Sequence, residues 1–423
     1  MSTLRRSTIL DFGMELEADE VRQARLGARL RAVVAHAYEH APRVRRAMDA
    51  AGVTPADVRG LEDLQKLPIT RKDALPAMQA EEAPFGGLLG VPVERLARVF
   101  MSPGPIFDPQ GEAEDFWRFR HALAAAGFRR GEIAHNSASY HLTPLGFMLD
   151  AAARSHGCVV VPAGVGQTEL QIKVASHLKA TAYLGTPSFL HALVSRAREL
   201  GTPLHFEAAF VVAEMLPESL RAELESEFGI RVLQGYGTAD LGCVSYECTE
   251  KDGWHMHPEC IVELLDLETG KAAAPGQPGE VVVTLFDEAY PLLRLSTGDI
   301  SALAPDLPCP CSRTAPKMTG LLGRIGDAVK VKGMFVRGAE IAAVMQRFPE
   351  VKRYQAVVTR EKHQDQLAYA VELAVPADDE AALAARLANA LREAVKIRGD
   401  VRLVPPGSIP ENAKRVDDRR VWK

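Results

Sequence analysis

GFMLDAAARSHGCVVVPAGVGQTELQIKVASHLKATAYLGTP, residues 146–187, decides the fold. Its first part is a helical segment that stops at Gly157. The run Cys158–Pro162 is apolar, β-branched and closed by proline, which reads as a short buried strand. Gly164 and Gly166 mark a loop, Thr168–Ala180 reads as another helix, and Thr181–Pro187 as a strand and turn. The alternation continues on both sides. HALAAAGF (121–128) is helical, and the helix LPESLRAELESEFG (216–229) feeds the strand IRVLQGYG (230–237). Strands alternating with helices imply an α/β fold, a parallel sheet with helices packed on its faces. Ligands in such folds gather at the carboxyl ends of strands, where the loops 185–187 and 235–240 lie.

Outside this block the texture changes. Residues 19–49 read as a long helix, with Leu26, Leu30, Val33, Val34, Ala37 and Ala41 on its buried stripe. Pro42 is expected to end or kink it. Thr70 followed by Asp73 has the form of a capping box. After Gly270, GKAAAPGQPGEVVVTLFD, PLLRLSTGDISAL and VKVKGMFV predict strands joined by Gly/Pro turns, an antiparallel or barrel-like β subdomain. The last hundred or so residues carry helix, two strands, helix and strand, a small α+β unit. The expected domains are therefore 1–323 and 324–423, with the boundary in GRIGD.

The chain has 423 residues, about three domains' worth, with 47% hydrophobic and 25% charged residues. That excludes wholesale disorder, collagen-like repeats and a disulfide miniprotein. A net charge of −5 gives no global attraction to nucleic acid or an anionic membrane. No apolar run approaches the ~18 residues of a membrane span. The opening MSTLRRSTILDFGMELEADE lacks a long apolar stretch after its arginines, so no secretory signal is expected. Six cysteines in such a chain suggest the reducing cytoplasm and a metal site rather than disulfides. Cys248 and His255, in ECTEKDGWHMH, together with the pair Cys309 and Cys311, would supply the four N/S ligands of a closed, structural zinc site, the alternative being scattered buried thiols. His257 rivals His255 in this set, and Cys260 could replace a cysteine.

Five segments carry a resemblance: LRAVVAHAYEHAP (30–42), LEDLQKLPITRKDAL (61–75), LQGYGTADLG (233–242), PLLRLSTGD (291–299) and GRIGDAVKVKGMFVRGAEI (323–341). In this order they resemble the phenylacetate–CoA ligases of the adenylate-forming superfamily, over essentially the whole chain. The resemblance implies an enzyme that uses ATP and magnesium to convert a carboxylic acid, of aryl or arylacetic type, to an acyl adenylate. The acyl group then passes to coenzyme A after a mobile C-terminal domain swings. Some relatives bind zinc through an EC…H…CxC pattern like this one, and a homodimer is compatible with the family.

The resemblance also assigns roles. Tyr236 and Gly237 fall on its Y-G-x-[ST]-E motif, Tyr236 against the adenine, with Thr238 as a substitute phosphate contact and Asp240 as the magnesium ligand. Asp240 stands where relatives have Glu, and Ala239 where they have a hydroxyl. Ala213 and Glu214 match the segment lining the adenine, Asp299 the aspartate that holds the ribose hydroxyls, and Arg324 the arginine near ribose and phosphate. Gly326, beside Asp327, takes the hinge position. The usual adenylation lysine falls on Asn412, and Lys414, two residues on and on the same side of an extended segment, takes its place. Tyr140, His141 and Gly164 would line the acyl pocket.

The largest departure is the phosphate loop. MSPGPIFDPQGEAEDFWR (101–118) offers Ser102 and Gly104 but three prolines and no lysine, and each proline removes a backbone donor. These departures leave two alternatives open, an adenylating enzyme with another acceptor and a catalytically impaired ligand-binding relative.

Overall fold

The computed structural model describes residues 7–305, 308–325, 328–332, 334–361, 364–375, 379–410 and 413–420. Gly326, Asp327 and Asn412 lie outside them. The strands are β1 (Thr70–Arg71), β2 (Arg98–Ser102), β3 (Ile106–Gln110), β4 (Ile133–Asn136), β5 (Val159–Pro162), β6 (Ala182–Gly185) and β7 (Ala208–Val211). There follow β8 (Arg231–Thr238), β9 (Gly242–Glu247), β10 (Trp254–Met256), β11 (Cys260–Asp266), β12 (Pro278–Leu285), β13 (Leu295–Leu303) and β14 (Lys317–Arg324). The last are β15 (Ala328–Val331), β16 (Met334–Arg337), β17 (Val351–Glu361), β18 (Gln364–Leu373), β19 (Asp400–Val404) and β20 (Val416–Asp418).

The chain forms two compact units: Met1–Ala213 with Arg221–Gly323, and Glu214–Leu220 with Arg324–Lys423. The first is built on one twelve-stranded sheet in the order β11-β12-β13-β14-β10-β9-β8-β7-β6-β4-β5, with β1 beside β13. β4 to β8 run parallel, as the alternating sequence predicts. At β8 the sheet changes character, because β9 pairs with it antiparallel across a short turn. The antiparallel strands that follow thus continue the parallel ones without a break. Two cores result: helices 19–40 and 42–50 pack on the antiparallel half, and helices 120–125 and 145–156 on the parallel half. In the second unit the order is β19-β18-β17-β20 and β15 pairs with β16. VKVKGMFV therefore belongs to this unit. Its core gathers Val331, Ile341, Leu367, Tyr369, Leu387 and Leu391.

Local chemistry sets the element ends. The helix Asp19–His40 stops at Ala41, and Pro42 starts the next one at the position where a missing N–H costs nothing. Gly157, at φ 95°, closes the helix Leu145–His156 in the left-handed conformation that glycine tolerates.

Two expectations need correction. Thr70 is not a helix cap: its N–H donates to the Arg294 carbonyl at 3.1 Å and draws it into β1. The capping box is at Thr54 and Asp57, where the Thr54 N–H reaches the carboxylate at 2.8 Å. The Cys158–Pro162 strand is not buried, because β5 is the outer edge of the sheet and Val159 is 59% exposed.

A buried ion pair ties the helix Glu218–Phe228 to the sheet. Arg221 Nη2 and Nη1 meet the two Glu247 oxygens at 2.7 and 2.9 Å, with both side chains about 95% buried. Arg221→Met should lower unfolding stability by about 3–5 kcal/mol in denaturant titration, because it leaves the Glu247 charge buried without its partner.

Candidate active site and metal centre

The turn after β8 is built by close backbone approaches. A Cβ at Gly237 would stand 2.2 Å from the Gly242 carbonyl oxygen, and one at Gly235 would meet Phe210 at 2.6 Å. The glycines of GYG therefore let β8 and β9 close tightly around a bulge at Tyr236–Gly237. Trp117 Nε1 donates to the Ala239 carbonyl at 3.1 Å, and Arg118 Nη2 donates to the Leu241 carbonyl. The Thr238 hydroxyl accepts from the Leu241 N–H at 3.2 Å. Thr238 thus braces the turn.

This frame brings Tyr236 and Asp299 together. The Tyr236 hydroxyl donates to Asp299 Oδ2 at 2.8 Å, joining β8 to β13. Both side chains are buried. Asp240, at the tip of the turn, has its side chain fully buried, and Lys72 Nζ bonds its Oδ1. Its Oδ2 is buried with no hydrogen-bond partner among the described residues. An orphaned carboxylate oxygen of this kind fits a hard cation such as magnesium.

Two residues of this region escaped the sequence reading as site members. Lys72 sits inside the quoted motif LPITRKDAL, where its charge was the available signal. Asp108 lies in the phosphate-loop segment 101–118, which has no lysine. That segment folds as the hairpin β2–β3, with Phe100 opposite Asp108 and Ser102 opposite Ile106. Phe100, Ser102, Ile106 and Asp108 are buried, while Val99, Met101 and Phe107 face solvent. Burial first, and the neighbouring Asp240 second, push the Asp108 carboxyl up to about 7. Ser102 and Lys72 pull it back, yet neither the Ser102 hydroxyl nor the Asp108 oxygens reach hydrogen-bond geometry.

The other expected residues are more dispersed. Tyr140 donates to Asp150 at 3.1 Å and accepts from Asn136 at 2.7 Å, and burial raises its phenol above the usual range. His141 is exposed. The Gly164 carbonyl accepts from Gln171 at 2.8 Å, which pins the loop after β5. Ala213, two residues beyond β7, has φ 70°, a left-handed conformation unusual for alanine. Glu214 follows it, half-buried. Arg324 is the last residue of β14. Lys414 is exposed in the terminal unit, and its carbonyl accepts from Gln355 at 3.0 Å.

The four expected metal ligands do converge. One ligand atom from each of Cys248, His255, Cys309 and Cys311 lies within 4.8 Å of all the others. Cys248 Sγ is 3.6 Å from Cys309 Sγ, and Cys311 Sγ is 3.4 Å from His255 Nε2. Tetrahedral zinc with bonds of ~2.0–2.3 Å gives ligand separations of about 3.5–3.8 Å, so the residues present fit the ion. A hydrogen bond from Cys248, and then His255, holds the Cys311 thiol down, while burial pushes Cys309 up. His257 is not a competing ligand: its Nε2 bonds the Arg118 carbonyl at 2.9 Å and its Nδ1 accepts from the Glu259 N–H at 3.1 Å. With both ring nitrogens engaged, no lone pair remains for a metal. Cys260 is absent from the cluster, and all six cysteines are free thiols.

Comparison with known proteins defines the class. The AMP-binding enzyme family matches residues 119–284, and its C-terminal domain matches residues 333–420. A phenylacetate-coenzyme A ligase of Thermus thermophilus is 34% identical over 417 residues, covering 91% of this chain and 92% of the relative. One of Escherichia coli is 30% identical over 443 residues, covering 98% of each. The crystal structure of 2-hydroxyisobutyryl-CoA ligase in complex with 2-HIB-AMP and CoA matches at TM-score 0.88 and 26% identity, covering 96% of this chain and 92% of that one. The fold is that of an AMP-binding, adenylate-forming enzyme. The chain belongs to the phenylacetate–CoA ligase family, and is an AMP-forming acid–CoA ligase.

The raised Asp108 has a definite pH signature. Between the usual carboxylate range and about 7 the folded protein keeps a proton that the unfolded chain has lost. Stability therefore falls as pH rises through this window, by on the order of 4 kcal/mol in all. Asp108→Asn removes the effect. In chelator, denaturant titration should find this variant more stable than wild type by about 2–4 kcal/mol at pH 8, the gap closing toward pH 4.

Proposed function

We propose that this protein activates an aryl or arylacetic acid with ATP and magnesium, and passes the acyl group to coenzyme A. The observation that carries this reading is the Tyr236–Asp299 hydrogen bond of 2.8 Å, with Asp240 at the tip of the same turn. The names of the curated relatives support the substrate class.

A carboxylate is a poor electrophile, and attaching AMP gives it a good leaving group. The groups around the reacting centre must then neutralise charge on the phosphoryl. In this proposal the Tyr236 ring lies against the adenine, beside Ala213 and Glu214. Asp299 accepts from both ribose hydroxyls, which a carboxylate can do at once. Asp240 binds magnesium, Gly237 and Thr238 shape the turn beside the phosphates, and Ser102 offers its hydroxyl from the hairpin. Arg324 contacts the ribose and phosphate region, and Lys414 neutralises the transferring group, carried by residues 324–423 as a mobile domain. Tyr140, His141 and Gly164 line the acyl pocket. Zinc on Cys248, His255, Cys309 and Cys311 is structural, since four protein ligands leave no open position.

A screen of carboxylic acids for pyrophosphate release, with and without coenzyme A, tests the whole reading. An aryl acid should give the strongest signal, and release unaffected by every acid would overturn it. Asp299→Ala should abolish acid-dependent pyrophosphate exchange in a folded protein. Lys414→Ala should slow adenylation at least ~100-fold yet spare thioester formation from a synthetic acyl adenylate. For zinc, protein purified without added metal should carry close to one equivalent. Cys309→Ser should drop that below about half and lower the melting temperature.

A further inference from the structure

We propose that Asp108, with Asp240 and the Ser102 hydroxyl, forms a divalent-cation site that the protein can fill before nucleotide arrives. The proposal rests on the magnesium role given to Asp240 above and adds a second protein carboxylate to it.

Three observations carry it. Both oxygens of Asp108 are buried without a hydrogen-bond partner among the described residues, and so are Asp240 Oδ2 and the Ser102 Oγ. These atoms are acceptors of the hard type that magnesium and manganese take. Among the described residues, Lys72 is the ammonium that bonds Asp240 and also acts on Asp108. Two ionised carboxylates against one ammonium would leave a costly shortage of positive charge in a buried site, which a bound cation can relieve in place of a proton. Finally, the hairpin is braced rather than loose. Gln79 clamps Phe107 through two hydrogen bonds of 2.8 Å, one to its carbonyl and one from its N–H. Gln79 also donates to the Tyr290 hydroxyl at 3.3 Å, and burial first, then the Asp108 and Asp240 carboxylates, raise the Tyr290 phenol.

The chemistry suits the chain's departure from its relatives. A hairpin with prolines at 103 and 105 has few backbone donors to give a polyphosphate. A cation held by Asp108 would present positive charge to the phosphates from the same place. Magnesium sites formed by one or two carboxylates and completed by substrate phosphates are the ordinary pattern for nucleotide enzymes.

The test is manganese binding followed by electron paramagnetic resonance, on purified full-length protein, first without nucleotide. Wild type should bind manganese at one site. Asp108→Asn should weaken that binding at least tenfold, and Ser102→Ala by less. A second readout guards against a folding artefact: magnesium should raise the melting temperature of wild type at pH 8 but not that of Asp108→Asn. The proposal is overturned if nucleotide-free wild type binds no manganese, or if Asp108→Asn binds it as wild type does. Asp240→Asn with ATP separates the two readings. If wild type binds manganese only with ATP and Asp240→Asn loses it, the Asp108 site alone falls. If Asp240→Asn keeps full ATP-dependent binding, the role given to Asp240 falls as well.

Discussion

The rest of the molecule depends on the strand Arg231–Thr238, which takes a parallel neighbour on one side and an antiparallel neighbour on the other. A parallel sheet ends its strands on one edge, and an antiparallel hairpin must turn back at once. Both demands meet at residues 238–242, where glycines at 237 and 242 let backbone pass within contact distance of backbone. Trp117 and Arg118, from the other core, then fix the turn through carbonyls 239 and 241. The Tyr236 and Asp240 side chains are thereby set by covalent and steric geometry rather than by a flexible loop.

Placing Asp240 in a buried turn has an electrostatic cost, and the structure answers it only in part. Lys72 satisfies one oxygen, and Asp108 adds a second acid beside it. Sites with a surplus of one charge are where enzymes hold ligands of the opposite charge, since the ligand relieves a penalty already present in the empty protein. The stability lost to Asp108 and the affinity ascribed to it are two faces of the same imbalance.

The fold was legible where periodicity and punctuation agree. The helix–strand alternation of 146–237 and the break at Pro42 follow from apolar spacing, glycine and proline, which act locally. The depth of β5 was not legible, because an apolar run looks alike in the middle of a sheet and at its edge. Thr70 went to a strand because a distant partner, Arg294, captured its amide. The convergence of Cys248, His255, Cys309 and Cys311 was readable from residue type, spacing and the family resemblance, and its exclusions were not. His257 is removed by hydrogen bonds to Arg118 and Glu259 that no spacing rule foretells. Asp108 was in plain view in the sequence, but its weight comes from burial beside Asp240, which is a property of the folded chain.

The edge strand Val159–Pro162 has a consequence of its own. An open sheet margin invites strands from other molecules to add to it, the route to domain exchange and fibrils. Here the margin is four residues long, ends in a proline without a donor, and leads directly into the Gly164–Gly166 loop that Gln171 fastens down. So short and blunted a rim gives an incoming strand too little ladder to hold, and the exposed Val159 can stay at the surface without recruiting a neighbour.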